Sequence, residues 1–496
     1  MADLERWLVA AFLLASWIAL WLWLVRPARQ APAVIASGDG LLVAYASQSG
    51  SAAALAERLA ASRQGGADVQ LLPLDALTAP LLQSCRRVLF VVSTYGDGEP
   101  PDNARRFANR YLHGRGIKAM PQLEYGVVAF GDSRYTQFCQ FGRQLYQWLS
   151  GQGATSAGPI VEVDAAAGDD EPVLPSWLQQ WWGIQPAPTQ PSKLQPWQLV
   201  DRQRLNPGSP GLPLYLLRLR PLGPLPLWQA GDLFEIVPEH PPAVVSAWLK
   251  QHQLDGEQWL EVDGHGQRLA AWLASRQLAT PPLNRDLQPW LAQLKRLAPR
   301  CYSIASLPRE GELQLLVRLH QDRWGHPGLC SGWLGGQLPL KGSLMGRLRV
   351  NPSFHLPETD YPLLLIGTGS GLAGLRAHLV ARANRHCRQG GWLIYGERSP
   401  QHDRPLQTEL QQWQQQGVLT RIDYAYSRHE QRPLRVQAVL RQRGDRLQAW
   451  LDRGAMILVC GGQAMGQEVE QTLVELIGAD AFEKLRTAGR YRRDLY

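Results

Sequence analysis

The sequence predicts a multidomain α/β protein: one apolar transmembrane helix, then two doubly wound parallel sheets separated by an antiparallel β-barrel. Three observations carry that expectation. Residues 41–183 and 358–496 each repeat a buried strand, a turn rich in glycine or hydroxyls, and a helix, which is the rhythm of a parallel sheet. Between them, 195–357 alternates apolar and polar residues with Gly/Pro punctuation, as antiparallel strands do. At the front, Trp7 to Val25 is apolar except for Ser16.

Size and charge bound the rest. A chain of 496 residues is too long for one core, since single domains run to roughly 100–200 residues. The net charge of +8 comes mostly from arginines scattered through the C-terminal half, with no lysine-rich arm or interleaved aromatic-basic run, so no nucleic acid is expected as partner. The six cysteines (Cys85, Cys139, Cys301, Cys330, Cys387, Cys460) show neither CxxC nor Cys/His ligand spacing. No metal site and no disulfide framework follow, and a reducing compartment fits.

The first element is the apolar run 7–25, long enough to cross a bilayer at about 1.5 Å per residue. Trp7, Trp21 and Trp23 stand near its ends as interfacial anchors do, and Arg26 and Arg29 form a positive flank on its C-terminal side. Arg26-Pro27 replaces the small residues of a cleavage site. The expectation is a single-pass anchor with tether over 1–40, in the inner (cytoplasmic) membrane, with the large domains facing the cytoplasm.

From Leu41 the strand LLVAYA runs into Ser47-Gln48-Ser49-Gly50-Ser51 and a helix from Ala52 to Ala61. Hydroxyls and backbone N–H groups converging at a helix start suit one phosphate. A second apolar strand, Arg87 to Val92, leads into Ser93-Thr94-Tyr95-Gly96-Asp97-Gly98-Glu99, and a third, Tyr125 to Phe130, into Gly131-Asp132-Ser133-Arg134-Tyr135-Thr136-Gln137-Phe138-Cys139. Loops after parallel strands share one crevice, so the three should meet there, with Tyr95 and Tyr135 able to sandwich a flat ring.

These loops resemble the FMN-binding loops of the flavodoxin domain in diflavin reductases, and STYGDGE and GDSxYxxFC are most similar to the sulfite reductase flavoprotein branch of that family. The resemblance implies that Ser47, Gln48, Ser49, Gly50 and Ser51 hold the FMN phosphate and that Tyr95 and Tyr135 flank the isoalloxazine. By the same resemblance Ser93, Thr94, Gly96, Gly131, Asp132 and Phe138 complete the site. Asp97, Glu99 and Asp102, with Asp164, Asp169, Asp170 and Glu171, form an acidic rim that reads either as a docking face for a basic electron acceptor or as a solvated surface that keeps the domain soluble.

Residues 184–194, poor in apolar periodicity and rich in Pro and Gln, read as a linker. The barrel expected over 195–357 carries a helical insertion at about 241–297 and then the stretch Arg300-Cys301-Tyr302-Ser303, which offers a guanidinium for a phosphate and a phenol ring for a heterocycle. GDxxxxxP, RxYS and GxCS together resemble the FAD-binding domain of the ferredoxin reductase superfamily. The resemblance implies Arg300 on the FAD pyrophosphate, Tyr302 and Ser303 at the flavin, and Gly328, Leu329, Cys330 and Ser331 on the diphosphate.

The last sheet, 358–496, opens with YPLLLIGTG and the glycine-rich turn Gly367-Thr368-Gly369-Ser370-Gly371, where a backbone can approach a pyrophosphate. It departs from the family by having Ala373-Gly374 where alanine-proline is usual. The ferredoxin reductase-like resemblance implies NADPH at Gly367, Thr368, Gly369, Ser370, Gly396 and Arg398, with Ser427, Arg428, Arg435 and Gln437 reading the 2′-phosphate. It also implies a hydride-transfer triad of Ser303, Cys460 and Asp494, with the terminal Tyr496 on the FAD ring. The whole resembles a membrane-anchored NADPH-dependent diflavin reductase with cofactors FMN, FAD and NADPH. The implied partner is a protein electron acceptor containing haem or iron, such as a sulfite reductase hemoprotein or an iron reductase in or at the bilayer. The alternative is a self-contained quinone or ferric-chelate reductase that needs no protein acceptor.

Overall fold

The computed structural model describes residues 41–496 except 49, 63–68, 97, 115–118, 134, 165–173, 184–193, 263–264, 282–289 and 292. Its first sheet holds β1 (Leu41–Ala46), β2 (Val69–Pro73), β3 (Arg87–Ser93), β4 (Glu124–Gly131), β5 (Thr155–Ser156) and β6 (Val161–Asp164). The order is β2-β1-β3-β4-β5 with β6 also on β4, and every pairing is parallel. Both faces are covered, which is why LLVAYA reads as a continuous apolar run. Leu42, Ala44 and Phe90 enter one core, while Val43, Leu89 and Val91 enter the other.

The second sheet is the barrel: β7 (Gln195–Arg204), β8 (Leu214–Pro221), β9 (Leu233–Val237), and beyond an insertion that holds β10 (Trp259–Val262) and β11 (His265–Arg268), β12 (Arg300–Ser303), β13 (Leu313–Arg318) and β14 (Ser343–Arg349). Its antiparallel order is β12-β9-β14-β7-β8-β13. The bridge Ile304↔Leu315 joins the two end strands and closes it. Trp197 and Phe234 meet edge-on inside at 4.9 Å. The insertion differs from the expected helical one. Between the helices Pro242–Gln251 and Leu269–Ala274 the antiparallel pair β10–β11 forms a hairpin of its own.

The third sheet contains β15 (Leu363–Thr368), β16 (Gly391–Glu397), β17 (Leu419–Tyr426), β18 (Met456–Gly461) and β19 (Tyr491–Leu495). These run parallel in the order β17-β16-β15-β18-β19, so the strand order reverses beside β15, where an open α/β sheet binds its ligand. Barrel and third sheet are joined by one apolar core that takes in Leu214, Leu316 and Phe354 from one and Leu365, Leu372 and Leu393 from the other. Across the same boundary the buried Arg376 reaches Glu310 at 2.9 Å and the Ala305 carbonyl at 2.6 Å.

The inner-membrane location expected from the sequence is corrected. Among the described residues no helix is long and apolar enough to cross a membrane. The run Trp7 to Val25 that prompted the expectation lies outside the described residues, as does the linker except Leu194.

His378, on the helix Leu372–Asn384, is 1 % exposed and packs against Phe354 at 5.3 Å. Burial first, and then the neighbouring His355, push its imidazole down to about 3. The unfolded chain therefore binds a proton that the folded chain refuses, and stability falls as pH drops through the ordinary histidine value of about 6.5 toward the folded value. Urea midpoints are expected to fall between about pH 7 and about pH 5, and less so in His378→Gln.

Candidate functional site

One cavity of about 280 Å³ gathers residues from all three sheets. Gln48, Thr94, Tyr95 and Tyr135 come from the loops after β1, β3 and β4; Cys301 and Ser303 come from β12; Asp494 and Tyr496 come from the end of β19. The expected flavin loops and two members of the expected hydride triad, Ser303 and Asp494, thus open onto a common space, with the third, Cys460, buried behind them.

On the first sheet the loops are tied together from below. The Ser47 N–H donates to Asn103 Oδ1 at 3.0 Å. Gln48 and Asp102 bond twice, Nε2 to Oδ2 at 3.1 Å and the Asp102 N–H to Oε1 at 3.0 Å. Gly50 supplies the left-handed turn (φ 87°) that starts the helix Ser51–Ala61. The buried Ser47 Oγ has no hydrogen-bond partner among the described residues, and an unpaired hydroxyl at a helix start fits a phosphate oxygen. Ser49 lies outside the described residues, as do Asp97, Asp169, Asp170 and Glu171.

Tyr95 and Glu99 exchange both backbone hydrogen bonds, at 2.8 and 2.9 Å, across a tight turn. Tyr135 accepts from Gln463 Nε2 at 3.4 Å. Phe138 packs on the first core beneath the Arg143 guanidinium, 5.9 Å from its ring centre, and does not line the cavity. Ser93, Gly96, Gly131 and Asp132 do line it.

Around β12 the two strings expected at FAD meet. The Tyr302 hydroxyl and the Cys330 thiol interact; burial raises both, the thiol to about 11. Ser331 Oγ accepts from the His320 N–H at 3.0 Å and donates to the Gly328 carbonyl at 3.3 Å, fixing the turn Gly328-Leu329-Cys330. Arg300 donates to the carbonyls of Ala298 and Pro299 at 2.8 and 3.0 Å.

Ser303, Cys460 and Asp494 converge from three strands. Ser303 Oγ donates to Asp494 Oδ2 at 2.6 Å, and Cys460 Sγ stands 3.8 Å from the same oxygen. The register Cys460↔Asp494 between β18 and β19 sets that approach. Burial raises the Asp494 carboxyl, and Ser303 and then Cys460 draw it part of the way back. Burial likewise pushes the Cys460 thiol up, so it stays neutral. Tyr496, 49 % exposed, bonds Ser370 Oγ through its hydroxyl at 2.8 Å.

The turn after β15 passes so close to β18 that a methyl on Gly371 would stand 2.1 Å from the Cys460 carbonyl oxygen. Gly371→Ala is expected to cost about 1–3 kcal/mol through overpacking, read as a lower Tm. Gly374, which replaces the expected proline, has Cys460 Sγ and Ser303 Cβ at 3.2 and 3.5 Å from where a Cβ would stand. Gly367 and Thr368 end β15 and Gly369 opens the turn, where Tyr395 OH donates to the Gly369 carbonyl at 2.8 Å. Sequence reasoning passed over this tyrosine and also Arg318, which pairs with Glu397 at the foot of the turn.

Gly396 is the last residue but one of β16, and just past the strand's end Arg398 is depressed by burial and then by the neighbouring Arg318 and Arg428. Such like-charge crowding is what a phosphate relieves. Ser427 Oγ donates to the Glu397 carbonyl at 3.3 Å, and Arg428 reaches the Pro210 carbonyl at 3.4 Å. Arg435 and Gln437 are both engaged by Glu468, the arginine at 3.6 Å. Among the described residues no cluster of His, Cys, Asp or Glu has metal-holding geometry.

Comparison with known proteins gives the context. Residues 43–177 match the Flavodoxin family model, and 365–471 match the Oxidoreductase NAD-binding domain model. The chain is 28 % identical to the sulfite reductase [NADPH] flavoprotein alpha-component of Vibrio cholerae, over 93 % of this chain and 88 % of the relative. It is 27 % identical to the protein of the same name from Bacillus subtilis, over 94 % and 91 %. With that from Aliivibrio fischeri it shares 28 % over 97 % and 94 %.

Proposed function

We propose that the chain is an NADPH-dependent flavoprotein oxidoreductase of the diflavin type, using FMN, FAD and NADPH, and that it hands electrons to a haem- or iron-containing acceptor protein. The observation that carries the reading is the shared cavity, where Tyr95 and Tyr135 of the first sheet face Ser303, Asp494 and Tyr496. The flavins supply what side chains cannot, accepting electrons as a pair and releasing them singly; the protein's part is distance, order and polarity.

In this reading residues 41–183 hold FMN, 195–357 hold FAD and 358–496 hold NADPH. Ser47 and its neighbours take the FMN phosphate, while Tyr95 and Tyr135 shield the ring from water. Tyr302 and the turn at Gly328–Ser331 hold FAD. Arg300 would turn from its own carbonyls to the pyrophosphate. Arg398, Ser427 and Arg428 bind the 2′-phosphate, and Ser303 with Asp494 and Cys460 orients the nicotinamide. The pairing of Arg435 and Gln437 with Glu468 gives them a supporting role at the rim. An acceptor protein is favoured over a self-contained reductase because the relatives are named as one component of a sulfite reductase.

Flavin released from the purified full chain is expected to be FMN and FAD in about equal amounts. Release of FAD alone would remove the first sheet from the relay. Faster turnover with a small haem protein than with a ferric chelate at equal concentration would support the protein acceptor, and the reverse order would favour the self-contained reductase.

A further inference from the structure

Side chains along β19 alternate between two sides. Asp494 and Tyr496 turn toward Ser303 and Ser370. Arg493, flanked by Arg492 and Asp494 in that strand, turns the other way, toward the turn after β3. Its guanidinium lies 4.9 Å from the Tyr95 ring centre, and the Tyr95 hydroxyl donates to the Leu495 carbonyl at 3.3 Å. Arg493 is only 2 % exposed. It bonds Asp102 Oδ1 through Nη2 at 2.8 Å and Nε at 3.1 Å, and Glu470 at 3.2 Å through Nη1. From the first sheet's side, Arg105 reaches Glu470 at 2.9 Å and Glu99 at 2.7 Å. Acids and guanidiniums therefore alternate across the boundary.

The boundary is also mostly free of shared core. Among the described residues, the two cores of the first sheet draw only on positions 42–182. Among the described residues of that sheet's domain, Tyr95 alone packs on the core of the third sheet, whereas barrel and third sheet share one continuous core. The barrel contributes a further polar contact, Ser353 Oγ to the Gln48 carbonyl at 3.0 Å. A hydrophobic weld thus holds two domains together, and a charged contact holds the third against them. Burial alone would raise the Asp102 carboxyl, but Arg493 and then Arg105 overturn that and hold it below the usual range.

We propose that Arg493 is a positioning residue, an ionic latch that docks the loops of the first sheet onto the strand carrying Asp494 and Tyr496. The proposal rests on the diflavin reading. Glu99 and Asp102, expected to receive a basic acceptor, are in this arrangement taken by the chain's own guanidiniums.

The test uses the full chain. In flavin-free protein, small-angle scattering should show the particle expanding as ionic strength rises from about 0.01 M to about 1 M, which shortens the Debye length from about 30 Å to about 3 Å. Arg493→Gln should be expanded already at low salt and lose that salt dependence, and Arg493→Lys should restore part of both. In loaded protein, passage of electrons from FAD, which is oxidised, to FMN, which is reduced, should slow about tenfold in Arg493→Gln, the size of a close ionic coupling. Wild-type dimensions and an unchanged salt profile in Arg493→Gln would overturn the latch. So would an expansion that Arg493→Lys leaves unrelieved, because packing and not charge would then be responsible. If wild-type FMN never takes electrons from FAD, the diflavin reading fails while the scattering still decides the latch.

Discussion

Asp494→Asn is expected to slow reduction of the flavin by NADPH about a hundredfold, the scale on which a preorganised polar group aimed at developing charge contributes. As NADPH gives up its hydride, positive charge grows on the nicotinamide ring. The Asp494 carboxylate is half-buried, held by Ser303 Oγ at 2.6 Å and flanked by a neutral Cys460, so it faces that charge with less water to screen it than a surface group has. Asparagine keeps the shape and loses the charge. The drop should appear in anaerobic stopped-flow reduction with KM for NADPH nearly unchanged, since the ground state carries no such charge on the ring. Ser303→Ala should show a smaller loss, because it frees the carboxylate without removing it. An Asp494→Asn protein reduced at the wild-type rate would take the triad out of the chemistry.

Arg428→Ala should raise KM for NADPH by about 10- to 100-fold, as loss of a charge-assisted phosphate contact does. Activity with NADH should not change, since NADH lacks the 2′-phosphate. In this structure Arg428 contributes to the crowding that depresses Arg398, and its removal relieves a repulsion as well as deleting a contact. Steady-state kinetics with both nucleotides read the result directly. Equal losses with NADH would show that the arginine supports the fold and does not recognise the phosphate.

How much of this was legible in the sequence follows from the kind of signal each element carries. The strands of both parallel sheets, LLVAYA and YPLLLIGTG among them, are buried on two faces and so leave continuous apolar runs. The turns after them carry hydroxyls and glycines at fixed offsets. Such local patterns survive in one dimension, and the parallel sheets and their loops were read from them. The hairpin β10–β11 had a local signal too, the Asp263-Gly264 dipeptide joining its strands, which is a strong hairpin mark. The helical pattern on either side outweighed it.

What the sequence could not show was pairing between distant charges. Arg493 and Asp102 are 391 positions apart, and nothing local to RYRRDLY tells which arginine turns toward the first sheet and which, like Arg492, toward the carbonyls of Pro352 and His355. Only the register of β19 against β18 decides that. Arg435 and Gln437 had the right composition for a phosphate, yet Glu468 on the helix Gln463–Ile477 meets them. The apolar run 7–25 carried the clearest hydropathy signal of all, and it led to a location that is not retained.

The most direct measurement is an anaerobic titration of the purified full chain with NADPH, following the bleaching of the flavin absorbance. The account predicts uptake of about two hydride equivalents per chain, one for each flavin. An end point at about one equivalent would mean that only one flavin is connected to NADPH, and the relay through the shared cavity would be contradicted.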